Sequence, residues 1–475
     1  MLFRHLYGFL GCKQPCLRLW ISSLTDEAIT EGMANLLPCD RFDNLFLAAD
    51  SRNRADWLLG VNSSYAICKA VGFGNNSLGR VQTPVLAEIC RRYRERENHM
   101  PADSWPVFIS LCKNDRILKM RHVDDLVVRR EALALYEDCK AAKSVRITAV
   151  GKRTEEIGAP ALYNLAELQK DANRYHSLTA IQVQEIAQGL YEKKLISYPR
   201  TSSRLLPKDV YDTLPPVMEK MLSRKEFRQY ADTVDLAAPR DSIEAQDTME
   251  HHAIIITGTQ PGKLDREEML VYTLIVGRML ETFMPPCKVE YTTVDTVCAA
   301  RKFRIRTYRI LEKGWLGIFE REHLVAKGCM PYLVMPDLFQ EEILPVAGCS
   351  LIHKKSLPVS PYTDEELVDY MDKAGLGTVS TRTNILRTLL ERKYIHYSGK
   401  YVVPTPKGLF LYETVRSMKV ADASLTSGWE TELARIERGE LSQEKFLDGV
   451  LETVNEVTGE IFRNHPVKKR PQGTT

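Results

Sequence analysis

The 475-residue sequence predicts a multidomain protein of the α+β class. Two stretches rich in β-forming residues predict this class: one contains the strings WPVFISL and SVRITAV, and the other covers 265–350, with Val, Thr, Tyr and Ile in short alternations such as VEYTTVDTV. A helical block separates them. Hydrophobic residues make up 44% of the chain, which supports substantial cores and excludes disordered and collagen-like chains. The length allows about three domains of ordinary size.

The N-terminal segment is apolar but does not resemble a signal peptide or a membrane span. Arg4, Lys13 and Arg18 interrupt its apolar run, so we predict a helix followed by a buried strand, RLWIS. No stretch reaches the 18 or so apolar residues that a membrane helix needs. The eleven cysteines form no CxxC pair, which predicts reduced thiols in a cytoplasmic protein rather than a zinc ribbon or a secreted disulfide framework.

The helical block contains a well-marked helix that ends near an unusual string. Thr179 and Gln182 form a capping box, and an apolar stripe from Ala180 to Leu190 recurs at helical spacing. The helix should end near Leu195. Because the residue before a proline is pushed out of the α region, Tyr198, which precedes Pro199, should be extended just past the helix.

The last block predicts a helix-turn-helix with a wing. Thr363 and Glu366 form a second capping box, the glycines of 375–377 make a turn, and a hairpin with Ser398-Gly399 at its tip follows the second helix. This pattern serves domain packing nearly as often as DNA binding, and its basic charge favours DNA.

The net charge of +3 is a cancellation of segregated charges. Segment 50–96 has eight basic residues against four acidic ones, and 376–418 has seven against two. Segment 232–250 reverses the balance with six acidic residues against one basic residue. Solvated helix faces are the common explanation of such runs, and nucleic-acid grooves are the alternative.

The usual catalytic motifs are absent from the sequence, including the P-loop, GxSxG, HExxH and DxDxxGE patterns. His251 and His252 are adjacent, so in an extended segment they point to opposite faces and cannot share a metal easily. Tyr198 and Arg200 would project on the same side of an extended segment. A cation there would favour the tyrosinate and stabilise charge on an attacked phosphate, although a Tyr after a helix is usually packing.

The string KKLISYPRTSSR resembles the active-site segment of type IA DNA topoisomerases. Six further strings resemble motifs of that family, in the family's order: ADSRNRADWLLGVN, SLGRVQTPVLAEI, EHHAIIIT, GLGTVSTRTNIL, PTPKG and TSGWETELARIERGE. Together they are closest to the topoisomerase III branch. The resemblance implies a ring-shaped molecule with winged-helix-like helical domains and a β-rich arch.

The resemblance also implies domain boundaries along the chain. They are a Toprim remnant (1–30), a first part of a single-strand-binding base (31–97), a first part of the arch (98–160), a tyrosine-bearing helical domain (161–262), a second part of the arch (263–350), a second, winged-helix-like part of the base (351–465) and a disordered tail (466–475).

The implied activity is ATP-independent breakage of one DNA strand, strand passage and rejoining, with single-stranded segments of negatively supercoiled DNA as the substrate. By resemblance, Tyr198 forms a 5′-phosphotyrosyl link, Arg200 stabilises the transition state and His251 contacts phosphate near the break. The implied DNA-binding residues are Arg52, Asp56, Arg80, Gln82, Thr83 and Thr381.

The sequence departs from the family pattern in two places. Ser202 replaces the usual aspartate after YPRT, and the Toprim segment with its catalytic glutamate and Mg²⁺-binding DxDxxGE triad has no counterpart in the sequence. Mg²⁺ is therefore expected for the family but without ligands in this chain. Two alternatives to an active enzyme stay open: a truncated single-stranded-DNA-binding protein, and one half of a split topoisomerase whose Toprim domain lies on a separate chain.

Overall fold

The computed structural model describes residues 2–19, 26–71, 75–225, 227–235, 243–244, 251–331 and 336–465. The tail predicted to be disordered, 466–475, lies outside the described residues, as does most of the acidic segment 232–250. The strand predicted at RLWIS is described only as far as Leu19.

The helices and strands are numbered in chain order. The helices are α1 (Leu2–Phe9), α2 (Asp26–Ala34), α3 (Asp43–Val71), α4 (Gln82–Glu97), α5 (Arg129–Ala141), α6 (Leu165–His176), α7 (Ala180–Glu192), α8 (Lys208–Asp212), α9 (Leu214–Leu222), α10 (Arg266–Thr282), α11 (His323–Ala326), α12 (Asp364–Lys373), α13 (Val379–Glu391), α14 (Pro406–Val415), α15 (Ala423–Glu437) and α16 (Gln443–Asn464). The strands are β1 (Leu17–Arg18), β2 (Leu37–Pro38), β3 (Asp103–Ser104), β4 (Val107–Lys113), β5 (Arg116–His122), β6 (Ser144–Ile157), β7 (Leu206–Pro207), β8 (Ile243–Glu244), β9 (Cys287–Cys298), β10 (Arg301–Glu312), β11 (Met330–Pro331), β12 (Ile343–Leu351), β13 (Lys354–Lys355), β14 (Tyr362–Thr363), β15 (Ile395–Ser398) and β16 (Tyr401–Pro404).

Strands from both β-rich stretches close into one barrel. The order is β10-β5-β4-β12-β6-β9, and β9 pairs with β10 to complete the circle, while β11 pairs in parallel with residues 307–308 of β10. In β4, Val107, Ile109 and Leu111 alternate inward and are fully buried, as the period of two in a strand requires. The barrel therefore joins segments that lie almost two hundred positions apart, and everything between β6 and β9 is an insertion into it.

That insertion is a helical unit with its own apolar core, formed by α6–α10 and the segments that connect them. Its last helix corrects the sequence prediction of β structure throughout 265–350. Residues 266–282 form α10, which begins at a capping box made by Asp265 and Glu268. Nearly all of its second half is buried, so the apolar, β-branched composition reflects a helix buried on all sides rather than a strand.

The base is the third unit and combines the two ends of the chain. Helices α3, α4 and α12–α16 share one core with the small sheet β14-β16-β15. The predicted capping box of Thr363 and Glu366 begins α12, and the predicted hairpin is β15–β16, with Gly399 at its tip in the left-handed region (φ +60°). The chain thus runs from base to barrel to helical unit and back through barrel to base.

The N-terminal segment rests on the start of α3. The predicted helix is α1, and its Arg4 contacts Asp43 while its His5 stacks edge-on against Phe46. Cys16 and Cys39 are joined by a disulfide, which corrects the prediction of reduced thiols throughout. The bridge links the segments on either side of the β1–β2 pair, two strands too short for their hydrogen-bonded spacing to be recognised from sequence.

A buried ionic cluster ties the helical unit to the segment that follows β10. Arg278 donates to Asp171 (2.7 Å) and to Glu281 (3.1 Å), and Arg321 donates to the same Asp171 oxygen (2.8 Å). Tyr163 also donates to Asp171 and lies under the Arg278 guanidinium. Burial raises the pKa of Glu281 to about 7, against the opposing effect of the two arginines. Removing one partner would leave uncompensated charge in a dry site.

We expect Arg278→Met to lower the free energy of unfolding by about 3–5 kcal/mol, because it leaves two buried carboxylates with one cation. The matched control is Arg91→Met, which removes an exposed arginine paired with Glu88 and Glu95 on a single helix, and should cost less than about 1 kcal/mol. Urea unfolding followed by circular dichroism measures both. Equal, small losses would contradict a stabilising role for the cluster.

Candidate active site

The segment that contains Tyr198 is held by pairing with residues 253–257. After α7 ends at Glu192, the chain turns through Lys194 in the left-handed region (φ +57°) and enters an extended path. Ile196 forms an antiparallel bridge with Ile256, and the Ser197 amide donates to the Ile255 carbonyl at 2.8 Å. This pairing joins the LISYPRTSSR and EHHAIIIT strings, which are about fifty positions apart in the sequence.

Tyr198 and His251 meet at this junction. Their ring centroids are 4.4 Å apart, with the rings tilted by 48°. Tyr191 of α7 also packs edge-on against the Tyr198 ring, with 5.4 Å between the ring centroids. Tyr198 is half-buried and His251 is exposed, and two aromatic side chains contact the Tyr198 ring. His252 is half-buried with its Nδ1 in contact with the Ala253 carbonyl, and burial lowers its pKa, which favours a neutral ring.

Two hydroxyl side chains lock the two segments together. The Thr201 hydroxyl donates to the His251 carbonyl at 3.0 Å and accepts from the Ser203 amide at 3.0 Å. The Ser197 hydroxyl donates to the Ala253 carbonyl at 3.0 Å. Thr201 is almost fully buried (2% exposed), so its bonds are protected from water. These bonds fix the backbone on both sides of Tyr198.

Arg200 and Arg204 have different environments despite their shared sequence motif. Arg204 donates to the carbonyls of Leu162 and Ala161, so its guanidinium is engaged in holding the local backbone. Arg200 is half-buried, and within the described part of the chain its Nε atom is buried without a hydrogen-bond partner. An unsatisfied guanidinium nitrogen two residues along the chain from a half-buried tyrosine is suited to an anionic ligand.

Ser202, the position where the sequence departs from the family, contributes its backbone rather than its hydroxyl to a described bond. Its carbonyl accepts from the Asn164 side chain at 3.0 Å, and the Asn164 oxygen in turn caps α6 by accepting from the Glu167 amide. The turn after YPRT is therefore anchored to the helical unit through Asn164.

Arg52, Asp56 and Arg80 form a second cluster in the base. Arg80 donates to Asp56 at 2.7 Å and to Glu430 at 2.8 Å, and Arg52 pairs with the other oxygen of Glu430. Burial opposes the charge of Arg80, but the two carboxylates raise its pKa above the ordinary value. The network joins α3, the start of α4 and α15. It includes a residue that the sequence analysis did not select, although Glu430 lies in the TSGWETELARIERGE string.

The remaining predicted DNA-binding residues stand at helix starts. Gln82 donates to the Ser77 hydroxyl, and Thr83 is buried with its hydroxyl accepting from the Gly79 amide, so both stabilise the turn that presents Arg80. Thr381 is exposed in the first turn of α13, where its hydroxyl accepts from the Thr378 amide at 2.8 Å. The structure describes no direct bond between these three residues and Tyr198.

Much of the positive charge in the two basic segments, 50–96 and 376–418, is already paired with carboxylates; these segments are called the basic strips. Arg91, Arg92 and Arg94 contact glutamates of the base, and Arg92 also lies over the Tyr362 ring at 4.0 Å. In the second strip, Arg382 pairs with Asp372 at 2.6 Å and Arg387 pairs with Glu185 at 2.6 Å. The strips therefore contribute to packing between helices as well as to surface charge.

Comparison with known proteins places this geometry in a family. A family model described as DNA topoisomerase matches residues 40–448. This chain belongs to the type IA DNA topoisomerase family. It is 29% identical over 480 residues to DNA topoisomerase 3 of Bacillus licheniformis, and 30% identical over 500 residues to that of Bacillus thuringiensis strain Al Hakam. These alignments cover 94% and 96% of this chain but only 65% and 66% of the relatives.

The fold of this chain also resembles that of a solved topoisomerase structure. The full-length topoisomerase I of Thermotoga maritima superimposes with a TM-score of 0.75 at 20% identity, covering 97% of this chain and 76% of that one. This superposition confirms the predicted mixed helix-and-sheet fold, and the family model confirms the predicted family. No helix within the described ranges has the length and apolar character needed to cross a membrane.

We expect Thr201→Val to lower the free energy of unfolding by about 1–2 kcal/mol, because the valine leaves the His251 carbonyl and the Ser203 amide without their buried partner. The Ser203 amide should also exchange with deuterium faster. Thr458→Val is the matched control, since the described bonds of its hydroxyl go to carbonyls within its own helix, those of Val454 at 2.8 Å and Asn455 at 3.2 Å. Unchanged exchange at Ser203 would contradict the assigned lock.

Proposed function

We propose that this chain acts as a cytoplasmic, bacterial-type type IA DNA topoisomerase that changes DNA topology without ATP. One observation supports this most directly: the half-buried Tyr198 is fixed against His251 by backbone pairing, with the unsatisfied Nε of Arg200 two residues away. Membership of the topoisomerase family supplies the reaction class. Because the chain spans about two thirds of its relatives' length, the activity of the whole enzyme is part of the proposal.

The proposed reaction is a transesterification. The Tyr198 oxygen attacks a backbone phosphorus, its proton passes to solvent or to a neighbouring basic group, and a new P–O bond to tyrosine forms as the bond to the deoxyribose 3′ oxygen breaks. The leaving 3′ oxygen takes up a proton. The number of phosphodiester bonds is unchanged, so the 3′ hydroxyl can reverse the attack after the other strand has passed. Arg200 would stabilise charge on the phosphate, and His251 would hold a neighbouring phosphate oxygen.

The base cluster would hold the single strand that leads to this site. Arg52 is the more exposed arginine of the cluster, with 40% of its side chain accessible, whereas only 4% of Arg80 is accessible. We assign phosphate contact to Arg52 and a positioning role to Arg80 and Asp56. Gln82, Thr83 and Thr381 stand at helix starts, where backbone amides favour anions, and would support the same strand.

Mg²⁺ is expected for the family, but the residues described here do not fit a site for it. No group of three or more His, Cys, Asp or Glu side chains in the described ranges could hold a metal ion. We therefore route no step of the reaction through a metal held by this chain.

A second candidate is that this chain is one half of a split enzyme, completed by a Toprim-bearing polypeptide that carries the metal ligands. The exposed apolar side of α1 favours this candidate, because Leu2 is 73% exposed and Phe9 is 89% exposed on a helix whose Arg4 and His5 face α3. Exposed apolar groups at that density usually mark a protein contact. A truncated protein that only binds single strands is the remaining alternative.

We expect Tyr198→Phe to abolish covalent attachment of the protein to a labelled single-stranded oligonucleotide, because phenylalanine has no nucleophilic oxygen. Tyr191→Phe is the matched control, since it removes a hydroxyl from the adjacent ring while keeping the edge contact. Trapping with denaturant and gel electrophoresis measures the adduct, with Mg²⁺ present throughout. An adduct that survives in the Tyr198 variant would refute the nucleophile assignment.

Relaxation of negatively supercoiled plasmid separates the active enzyme from its alternatives. If the chain is half of a split enzyme, it should relax plasmid with Mg²⁺ only after a separately purified Toprim-bearing polypeptide is added. The Tyr198→Phe variant should stay inactive in that mixture. Relaxation by the chain alone would contradict the split arrangement, and single-strand binding with no relaxation in either mixture would favour the binding protein.

A further inference from the structure

Helix α3 exposes a row of large side chains that the proposed reaction does not use. Trp57, Val61 and Tyr65 are 64%, 49% and 62% exposed and are spaced four residues apart, so they follow one face of the helix. A single exposed aromatic residue needs no explanation. Two exposed aromatic rings on one helical face form an unpartnered surface, which we call the aromatic row.

The charges around the aromatic row suit a polyanion. No acidic residue occurs from Trp57 to Val71. The Lys69 ammonium lies over the Tyr65 ring, 5.6 Å from its centroid. Arg54 stands three residues before Trp57, on the same side of the helix; it pairs with the buried Asp50 at 2.7 Å, and 58% of its side chain stays accessible. A purely apolar protein partner would leave these cations poorly solvated, whereas a DNA strand offers phosphates to the cations and bases to the rings.

The row also begins next to the base cluster, because Asp56 directly precedes Trp57 on α3 and Arg52 lies five residues before Trp57. Trp57 and Tyr65 are eight residues apart, or about 12 Å along the helix axis. That separation is too long for the rings to sandwich one base, so each ring would contact a different base.

We propose that Trp57 and Tyr65 are stacking platforms for two bases of a single DNA strand whose phosphates lie near Arg54 and Lys69. The inference rests on the proposed function, since it names how the substrate of that function is held. Stacking on aromatic rings tolerates any base, which suits a substrate defined by being single-stranded rather than by its sequence.

Binding of a short oligothymidylate to the full chain tests this, with Tyr198→Phe present in every variant so that only equilibrium binding is measured. Trp57→Ala and Tyr65→Ala should each weaken binding about tenfold or more, and Trp57→Phe and Tyr65→Phe should restore most of it. Loss of the rings should leave the slope of log K against log salt unchanged, because no phosphate contact is removed. Lys69→Met should instead reduce that slope by about one.

The matched control is Phe339→Ala. Phe339 is also an exposed aromatic (65%) with a lysine, Lys113, over its ring at 5.3 Å, but it lies beside the barrel. The Phe339→Ala variant should bind the oligonucleotide as tightly as the background protein, which carries Tyr198→Phe alone. If the alanine variants of the row also bind like the background protein, the inference is overturned while the proposed function stands, and the row would belong to a protein contact. If the background protein binds no single strand, both fail.

Discussion

The antiparallel pairing of 196–197 with 255–256 is the constraint on which the candidate active site depends. It converts a strand-like segment that is too short to be stable alone into a fixed support for Tyr198, because backbone bonds and the hydroxyls of Ser197 and Thr201 hold both sides. The proposed nucleophile would gain from such fixation, since a fixed orientation toward the attacked phosphate lowers the barrier to reaction. This junction belongs to the helical unit, whose apolar core includes Ile196, Ile255 and Ile256.

The helical unit meets the base through apolar contacts of Ala166 and Ala180 and through several polar contacts. Asp364 of α12 accepts from the Ala180 amide at 2.6 Å, so the first residue of one helix caps the N-terminus of α7 in the other unit. Lys170 pairs with Asp369 at 2.9 Å across the same boundary. Polar interfaces of this kind resemble transient contacts between domains more than a continuous core. The unit is joined to the barrel differently, by covalent connections on both sides and by the buried cluster around Arg278.

Local features of the fold could be predicted from sequence because their causes are local. The capping boxes at Thr179 and Thr363 and the hairpin tip at Gly399 depend on residues within four positions of each other. Helix α10 could not be read in the same way, because its β-branched composition is explained only by burial on all sides. The Cys16–Cys39 bridge and the partnership of Arg80 with Glu430 likewise depend on distant segments meeting, which single-sequence patterns do not encode.

The base cluster shows why counts of basic residues misjudge a DNA-binding surface. Arg80 matches a recognisable family motif, yet its guanidinium is buried against two carboxylates and has little surface left for a phosphate. In the proposed function Arg80 would therefore attract a strand only weakly, but the network it forms holds Arg52 and the first half of α3 in place. Affinity for a strand would then come from exposed groups on that helix. The ion pairs of this cluster reduce the free positive charge of the surface. They also hold α3 in place, so that the helix presents its exposed groups in a fixed position.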